Sequence, residues 1–470
     1  MSDEARRGVL AFLAAALLLA LAHWVVLAFQ VPVFAVLPGW FHAFTWKPPG
    51  SAAVVATLVV LPALALAAIA ATPGRPRLHL ALVFTLGVAL QFALAFTEYR
   101  GEDALRDRMV YTGHAEFAEE AVQADDVLLL LRDYEPLVAS GELGLYAPSK
   151  PPGQLLLYVA TERLANVGDP SAGRGVRLRR LRTFAAWTWP VASMLVLFPL
   201  FVLARGLADA ETAVLACLLY VFVPSVQLVT LHTDQAFFPL LFLLPLLVAA
   251  QAGRPFPAAW GAAAGVLAYA AAFASFGLLP ALPLAVVVAL AAASGPARDR
   301  GRRAALFGAG MLAGFAATYA VFSMLLGYDA LGRFRRAVAY HAAWKGGPSG
   351  FAADLGFAEV NAIEFALFLG LPLALLFVVG LARAARRLAV LSPVRVDALA
   401  LAVGAVLIAL AVFGRTQGEV ARLWLFLVPL VCLVSAAEAH ARLRPMAAVV
   451  LLLLLQAGTV YLTKRFMDFA

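Results

Sequence analysis

The chain has 470 residues, 63% of them hydrophobic and only 14% charged, with a mean hydropathy of +0.88 and a formal net charge of +8. A soluble domain carries about 25% charged residues, so these values exclude a soluble globular protein and indicate an integral membrane protein. The positive charge sits in short clusters between apolar runs, the pattern of cytoplasmic loops, and this excludes a nucleic-acid partner. Two cysteines, Cys217 and Cys432, lie inside apolar runs and imply neither a disulfide framework nor a thiolate metal site.

Taken in order, Arg6-Arg7 precedes an apolar run over 9–29 that is longer than the ~7–15-residue core of a signal peptide. It therefore reads as an uncleaved first span. About 20 apolar residues cross the hydrocarbon core, and further spans are predicted near 51–71, 78–97, 184–204, 211–229, 236–252, 258–276, 278–294, 304–326, 361–382, 396–413, 420–437 and 446–463. The expected fold is thus all-α, a polytopic transmembrane helix bundle of about 13 spans, forming one domain over 1–470 with a large outer-side loop at 98–183.

Short-loop arginines set the orientation. Arg6-Arg7, Arg75 and Arg77, Arg205, Arg254, Arg298 to Arg303, Arg383 to Arg387 and Arg442 to Arg444 fall on one side, read as cytoplasmic, which places the N-terminus there. The opposite side receives 30–50, 98–183, 224–235, 327–360, 414–419 and the C-terminal tail. Arg174 to Arg182 breaks the rule, with five arginines on the outer side just before a span. Within the large loop, Phe117 to Leu131 and Gln154 to Leu164 are amphipathic at helical spacing, as in helices that lie in the interface plane.

Ionisable residues in several loops on one side are functional candidates when they converge on one cavity. The first group is His114, Glu116, Glu119 and Glu120, in which a carboxylate takes a proton from an attacking hydroxyl or simply forms the solvated face of an interfacial helix. The second is Lys150-Pro-Pro-Gly153. Its lysine either pairs with a phosphate or marks a helix-entry turn, because the prolines hold the backbone extended before a helix. The third, His232-Thr-Asp234-Gln235, interrupts an apolar run at a hairpin, where it lines a cavity or makes a plain interhelical turn. The fourth is Gly418-Glu419-Val-Ala-Arg422, whose Glu419 and Arg422 share a helix face at i,i+3. A fifth, weaker group comprises Arg333-Phe-Arg335-Arg336 with His341, Trp344 and Asn361-Ala-Ile-Glu364. No P-loop, zinc-protease helix or nucleophile elbow is present. A divalent cation held by carboxylates such as Glu116 and Asp234 is compatible with the spacing but not required by it.

The order of these segments resembles the GT-C superfamily of polytopic glycosyltransferases, particularly bacterial and archaeal members of the protein-mannosyltransferase and aminoarabinose-transferase type. Glu116-Phe-Ala-Glu119-Glu120 stands where that family carries an essential acidic residue in its first long outer loop. Lys150-Pro-Pro-Gly153 is similar to a later His-Pro-Pro-Gly-like segment, and Pro224 through Asp234-Gln235-Ala-Phe-Phe238 to a hairpin that ends with an aspartate beside aromatics. Lysine replaces the histidine before Pro-Pro-Gly, and glutamate the commoner aspartate. The resemblance covers roughly residues 78–435. It implies transfer of a hexose or pentose from a polyprenyl-phosphate donor to a hydroxyl of a glycan, lipid or protein, with inversion, on the outer face of a bacterial plasma membrane. It also implies that Glu116 is the base, with Glu119 beside it. Lys150 and one or more of Arg174, Arg177, Arg179, Arg180, Arg182, Arg336 and Arg422 stabilise the departing phosphate, Asp234 and His232 orient the sugar or base, and His114, Gln235, His341 and Glu419 line the site. A lipid-linked glycan ligase or polymerase would use similar arginines. A transporter would show repeat symmetry and midplane charges, and neither is visible.

Overall fold

The structure, a computed structural model, describes residues 3–34, 37, 39–40, 42–48, 50–97, 101–111, 115–229, 234–345, 351–390, 394–413, 419–443 and 446–467. Among these the fold is all-α, with a single isolated bridge between Phe44 and Met467. Nine helices among the described residues are long and apolar enough to cross a membrane, and Ala210–Val221, Gln235–Ala249 and Phe276–Ala292 are apolar but shorter. Each of the 13 expected runs is therefore helical, but four of them are not full-length straight spans. The run expected over 361–382 is broken, with Leu355–Leu369 and Leu371–Ala389 meeting at 113°. The cause lies in Gly370-Leu-Pro372. Gly370 has φ +90°, Pro372 opens the next helix, and Gln456 Nε2 donates to the freed Leu369 carbonyl at 2.9 Å. The run expected over 211–229 divides where Ala210–Val221 ends and Pro224–Val229 begins.

The chain forms two compact units. The first comprises Met1–Gly101, Met194–Thr230 and Ser349–Ala470; the second comprises Glu102–Ser193 and Leu231–Pro348. In the first unit, Leu27, Leu94, Leu228, Phe368, Ala421 and Val460 form a buried cluster. At one end the loop around His42 and the C-terminal tail meet: Thr45 N–H and Lys47 N–H donate to the carbonyls of Phe466 and Arg465 at 3.0 and 2.9 Å. At the other end Arg383 and Arg442 flank the buried Glu438, and Arg387 grips the buried Asp397 with two nitrogens. Loops that the arginine pattern assigns to a common side therefore meet within this unit.

In the second unit, residues 102–193 build a core of their own. Phe117, Ala121, Leu130, Tyr134, Leu155, Tyr158 and Trp189 are buried against one another. The segments expected to lie flat on the membrane are the helices Ala115–Gln123, Val127–Arg132 and Gly153–Ala165, and they turn their apolar faces to this core. Asp126 starts the second of these by accepting the amides of Leu128 and Leu129. Three of the five arginines in the 174–182 run are balanced locally. Arg177 pairs with Glu162 at 2.7 Å and Asp125 at 3.7 Å, Arg180 with Asp169 at 3.4 Å, and Arg182 with Glu119 at 3.1 Å. The helices Pro257–Ala274 and Ala297–Leu326 of the same unit touch backbone to backbone. A Cβ added at Gly261, Gly265, Gly310 or Gly314 would overlap the partner helix's main chain. Lipid offers apolar groups no reason to leave it, so helices associate in a membrane through such close packing of small residues.

Candidate active site

The acidic helix Ala115–Gln123 buries Phe117, Ala118, Ala121 and Val122. The 3.6-residue period then sets Glu116, Glu119 and Glu120, at i, i+3 and i+4, along one neighbouring stripe. Three like charges at this spacing repel, and the surroundings treat each differently. Glu119 takes the guanidinium of Arg182. Glu116 accepts the backbone amides of Leu145 and Tyr146 at 3.0 and 2.6 Å. Glu120 is half-buried and has no hydrogen-bond donor among the described residues. Burial first, then the charges of Glu116, Glu119 and Glu142, push its carboxyl up to about 7.

The amides that Glu116 holds belong to a strap, Leu145–Lys150, that crosses this part of the unit. Gly144, at φ +72°, turns the chain into it against the Glu116 carboxylate. Four more side-chain groups fasten the strap by its carbonyls. Tyr340 Oη donates to Leu145 at 3.1 Å, and Ser149 Oγ to Tyr146 at 2.9 Å. Tyr134 Oη lies 3.4 Å from the Ala147 carbonyl and 3.2 Å from that of Lys150. Arg333 Nη2 donates to Pro148 at 2.6 Å. Arg333 is 2% exposed and is the largest fully buried side chain in the chain's described part. Its charge is met by Glu135, whose Oε2 lies 3.3 Å from Arg333 Nη1 and 3.0 Å from Arg336 Nε. The helix that delivers both arginines, Ala330–Lys345, is started by Asp329, which accepts the Gly332 amide at 2.9 Å. That bond first, then Tyr319 and Arg336, hold the Asp329 carboxyl below the usual range against a smaller opposing desolvation.

After the strap, Lys150 is extended (φ −122°, ψ 152°) and the helix Gly153–Ala165 begins at once. Gly153 is required there, because a Cβ would overlap the Phe273 carbonyl. Beside this turn lies an apolar groove of about 340 Å³, walled by Leu156, Leu157, Phe238, Leu241, Ala270 and Phe273.

The second unit thus gathers Glu116, Glu119, Lys150 and Arg336 around the strap and the acidic helix. Gln235 is fully buried and His341 half-buried in the same unit. Asp234 opens the short helix Asp234–Phe237, with its side chain outside the described residues, as are His114 and His232. Glu419 and Arg422 belong to the first unit, paired at 3.1 Å as their spacing predicts. Next to them Glu364, fully buried, accepts the Ala421 amide and meets His42 Nε2, each at 3.0 Å. The fifth sequence group is therefore divided, with Arg333, Arg336 and His341 in one unit and Asn361 and Glu364 in the other. Among the described residues no three His, Cys, Asp or Glu side chains gather as metal ligands. Sequence reasoning passed over Glu135, Tyr134, Tyr340 and His42. Only Glu135 carries a signal, an acidic residue before proline at a helix start.

No family model matches the chain, and no curated protein sequence does. Among solved structures the chain is similar to the oligosaccharyltransferase of Archaeoglobus fulgidus. The complex with zinc and sulfate aligns at 15% identity and a TM-score of 0.38, over 67% of this chain and 44% of that one. The apo form aligns at 13% identity and a TM-score of 0.39, over 67% and 47%. The chain therefore spans less than half the length of those proteins, and a likeness this distant bears on neither substrate nor residues.

Proposed function

We propose that the chain is a GT-C-type membrane glycosyltransferase that moves a sugar from a lipid-phosphate donor to an acceptor hydroxyl. The observation that carries this reading is the apolar groove that begins at Gly153, three residues from Lys150, in the unit that holds the carboxylate stripe. A lipid tail fits such a groove while its phosphate and sugar remain among polar side chains. The order of motifs along the chain and the multi-span helical architecture support the same class.

In this mechanism the acceptor oxygen attacks the anomeric carbon. The bond to the phosphate oxygen breaks with inversion, and the electron pair leaves on the lipid phosphate. Lys150 and Arg336 stabilise that departing charge. Asp234 and His232 orient the sugar. The acceptor's proton goes to Glu120 and not to Glu116, because Glu120 keeps its carboxylate open and titrates near neutrality, where a general base is most effective. Glu116 has both oxygens engaged by amides. The acceptor is a glycan, lipid or protein hydroxyl, and the outer face of the membrane is the side on which the arginine pattern places these loops.

The test is release of prenyl phosphate from polyprenyl-phosphate sugars by the purified protein in lipid nanodiscs. Glu120→Gln should slow release by about 10²-fold or more, whereas Glu116→Gln should slow it less. Wild-type release in Glu120→Gln would remove that residue from the base role, and no release from any such donor would refute the class.

A further inference from the structure

We propose that Arg333 is a positioning residue that holds Lys150 in register for the donor's phosphate by clamping the strap from beneath. This rests on the lipid-phosphate reading above, and it assigns a task to a residue that reading leaves idle.

An arginine buried to 2% exposure is a costly choice for a merely structural position. Taking a guanidinium out of water is repaid only when its charge is paired and its nitrogens are used. Arg333 satisfies the condition only in part. Nη1 reaches Glu135, Nη2 reaches the Pro148 carbonyl, and Nε finds no partner among the described residues. Glu135 divides a single oxygen between Arg333 and Arg336 and leaves Oε1 buried without a partner among the described residues. The arrangement spends charge to grip one backbone carbonyl, two residues before Lys150. A leucine or methionine would fill the space without the desolvation cost but would release that carbonyl.

The other fasteners point the same way. Tyr134, itself 1% exposed, reaches the carbonyl of Lys150. The bonds therefore converge on both ends of the Pro148–Lys150 turn, and the two prolines that follow pass the backbone directly into a helix. A lysine on a freely moving loop would lose side-chain and backbone entropy each time it met a phosphate. Fixing its backbone beforehand removes that cost from binding. Arg333 acts through Lys150 and need not touch the donor.

The experiment uses the full chain in nanodiscs, with Arg333→Lys, Lys150→Ala and the double variant. Arg333→Lys keeps the charge and loses the fork, so folding is preserved while the grip weakens. Hydrogen exchange, read by mass spectrometry, should show the amides of Leu145, Tyr146, Ala147, Ser149 and Lys150 exchanging at least about tenfold faster in Arg333→Lys. Exchange in the helix Pro257–Ala274 should stay unchanged. In the transfer assay, Arg333→Lys should lower kcat/KM for the lipid donor about tenfold. Lys150→Ala should lower it at least as much, with part of the loss in kcat because Lys150 also stabilises the departing phosphate, and the double variant should be no worse than Lys150→Ala alone. Additive effects in the double variant would show that Arg333 does not act through Lys150, and unchanged exchange of the strap would show that it does not clamp it. Each result overturns the proposal. If the wild-type protein transfers nothing from lipid-phosphate sugars, the functional reading fails. The exchange result then still decides whether Arg333 clamps the strap, while its task toward a phosphate falls with that reading.

Discussion

Two regions of the second unit are held rigid by opposite means. The helices Pro257–Ala274 and Ala297–Leu326 carry no polar link across the glycines that join them. They are fixed by shape, with Gly261 and Gly265 set against the backbone at Phe307 and Met311, and Gly310 and Gly314 against Ala258 and Ala262. The strap sets only Ala147 and part of Tyr146 into the apolar core, and its main chain is fixed by hydrogen bonds with Glu116, Tyr134, Arg333 and Tyr340. The difference follows from the solvent each meets. A helix satisfies its own backbone and asks its neighbour only for close contact. An irregular segment must find partners for every buried amide and carbonyl, and side chains have to supply them.

This contrast predicts which substitutions are fatal where. The largest effect belongs to the helix pair. Gly265→Leu drives a branched side chain into the Met311 carbonyl and the Phe315 amide, which belong to backbone and cannot yield. A loss of about 3 kcal/mol or more is expected, seen as a lower unfolding temperature and aggregation in detergent. Gly308→Ala, on the partner helix Ala297–Leu326, would meet only a Val286 methyl at 3.7 Å and should change little. Equal effects of the two would show that the helices are not joined through the glycine face.

At the strap the loss is smaller and polar. Glu116→Ala strands the amides of Leu145 and Tyr146, each worth about 1–3 kcal/mol when buried without a partner, though both lie near the surface and water recovers part of that. Glu116→Gln keeps one acceptor oxygen and should fall between. The readout is exchange of those two amides, which should accelerate in the order wild type, Gln, Ala. If alanine and glutamine behave alike, the carboxylate is not the anchor.

Hydropathy made the membrane architecture legible, because 20 apolar residues in a row have few other uses. It failed at Gly370-Leu-Pro372, where three residues inside an unbroken apolar run turn the chain by 113°. Composition averaged over a window does not register a positive φ. The acidic stripe was also legible, since its spacing alone puts three glutamates side by side. What distinguishes them was not. Arg182 is 63 residues from Glu119, and the amides on Glu116 lie 29 and 30 residues away. Backbone groups leave no mark in a sequence, so a strap held mainly by its main chain is invisible until the fold is seen. The arginine run that defied the topology rule is explained on the same grounds, because three of its five charges answer carboxylates elsewhere in the same loop.

The smallest predicted effect separates Glu120 from its neighbours. Burial and the neighbouring carboxylates push its carboxyl up to about 7 in the folded chain, from an ordinary value of 4.5. Between those two pH values the folded state keeps a proton that the unfolded state has lost, so ionisation of this group makes stability fall as pH rises across the window. Glu120→Gln removes that slope and should leave the protein slightly more stable at pH 8 and unchanged at pH 4. The difference is modest because the group is only half-buried and water screens it. Unfolding temperatures across this pH range provide the measurement. The opposite sign, a variant less stable at pH 8, would mean that a nearby cation holds Glu120 ionised. The same window governs transfer, where the rate should climb as Glu120 gives up its proton toward pH 7 and the glutamine variant should lose the climb. A base held open costs the fold a little stability, whereas the carboxylates that anchor or pair contribute to it, and this sign sets Glu120 apart from Glu116 and Glu119.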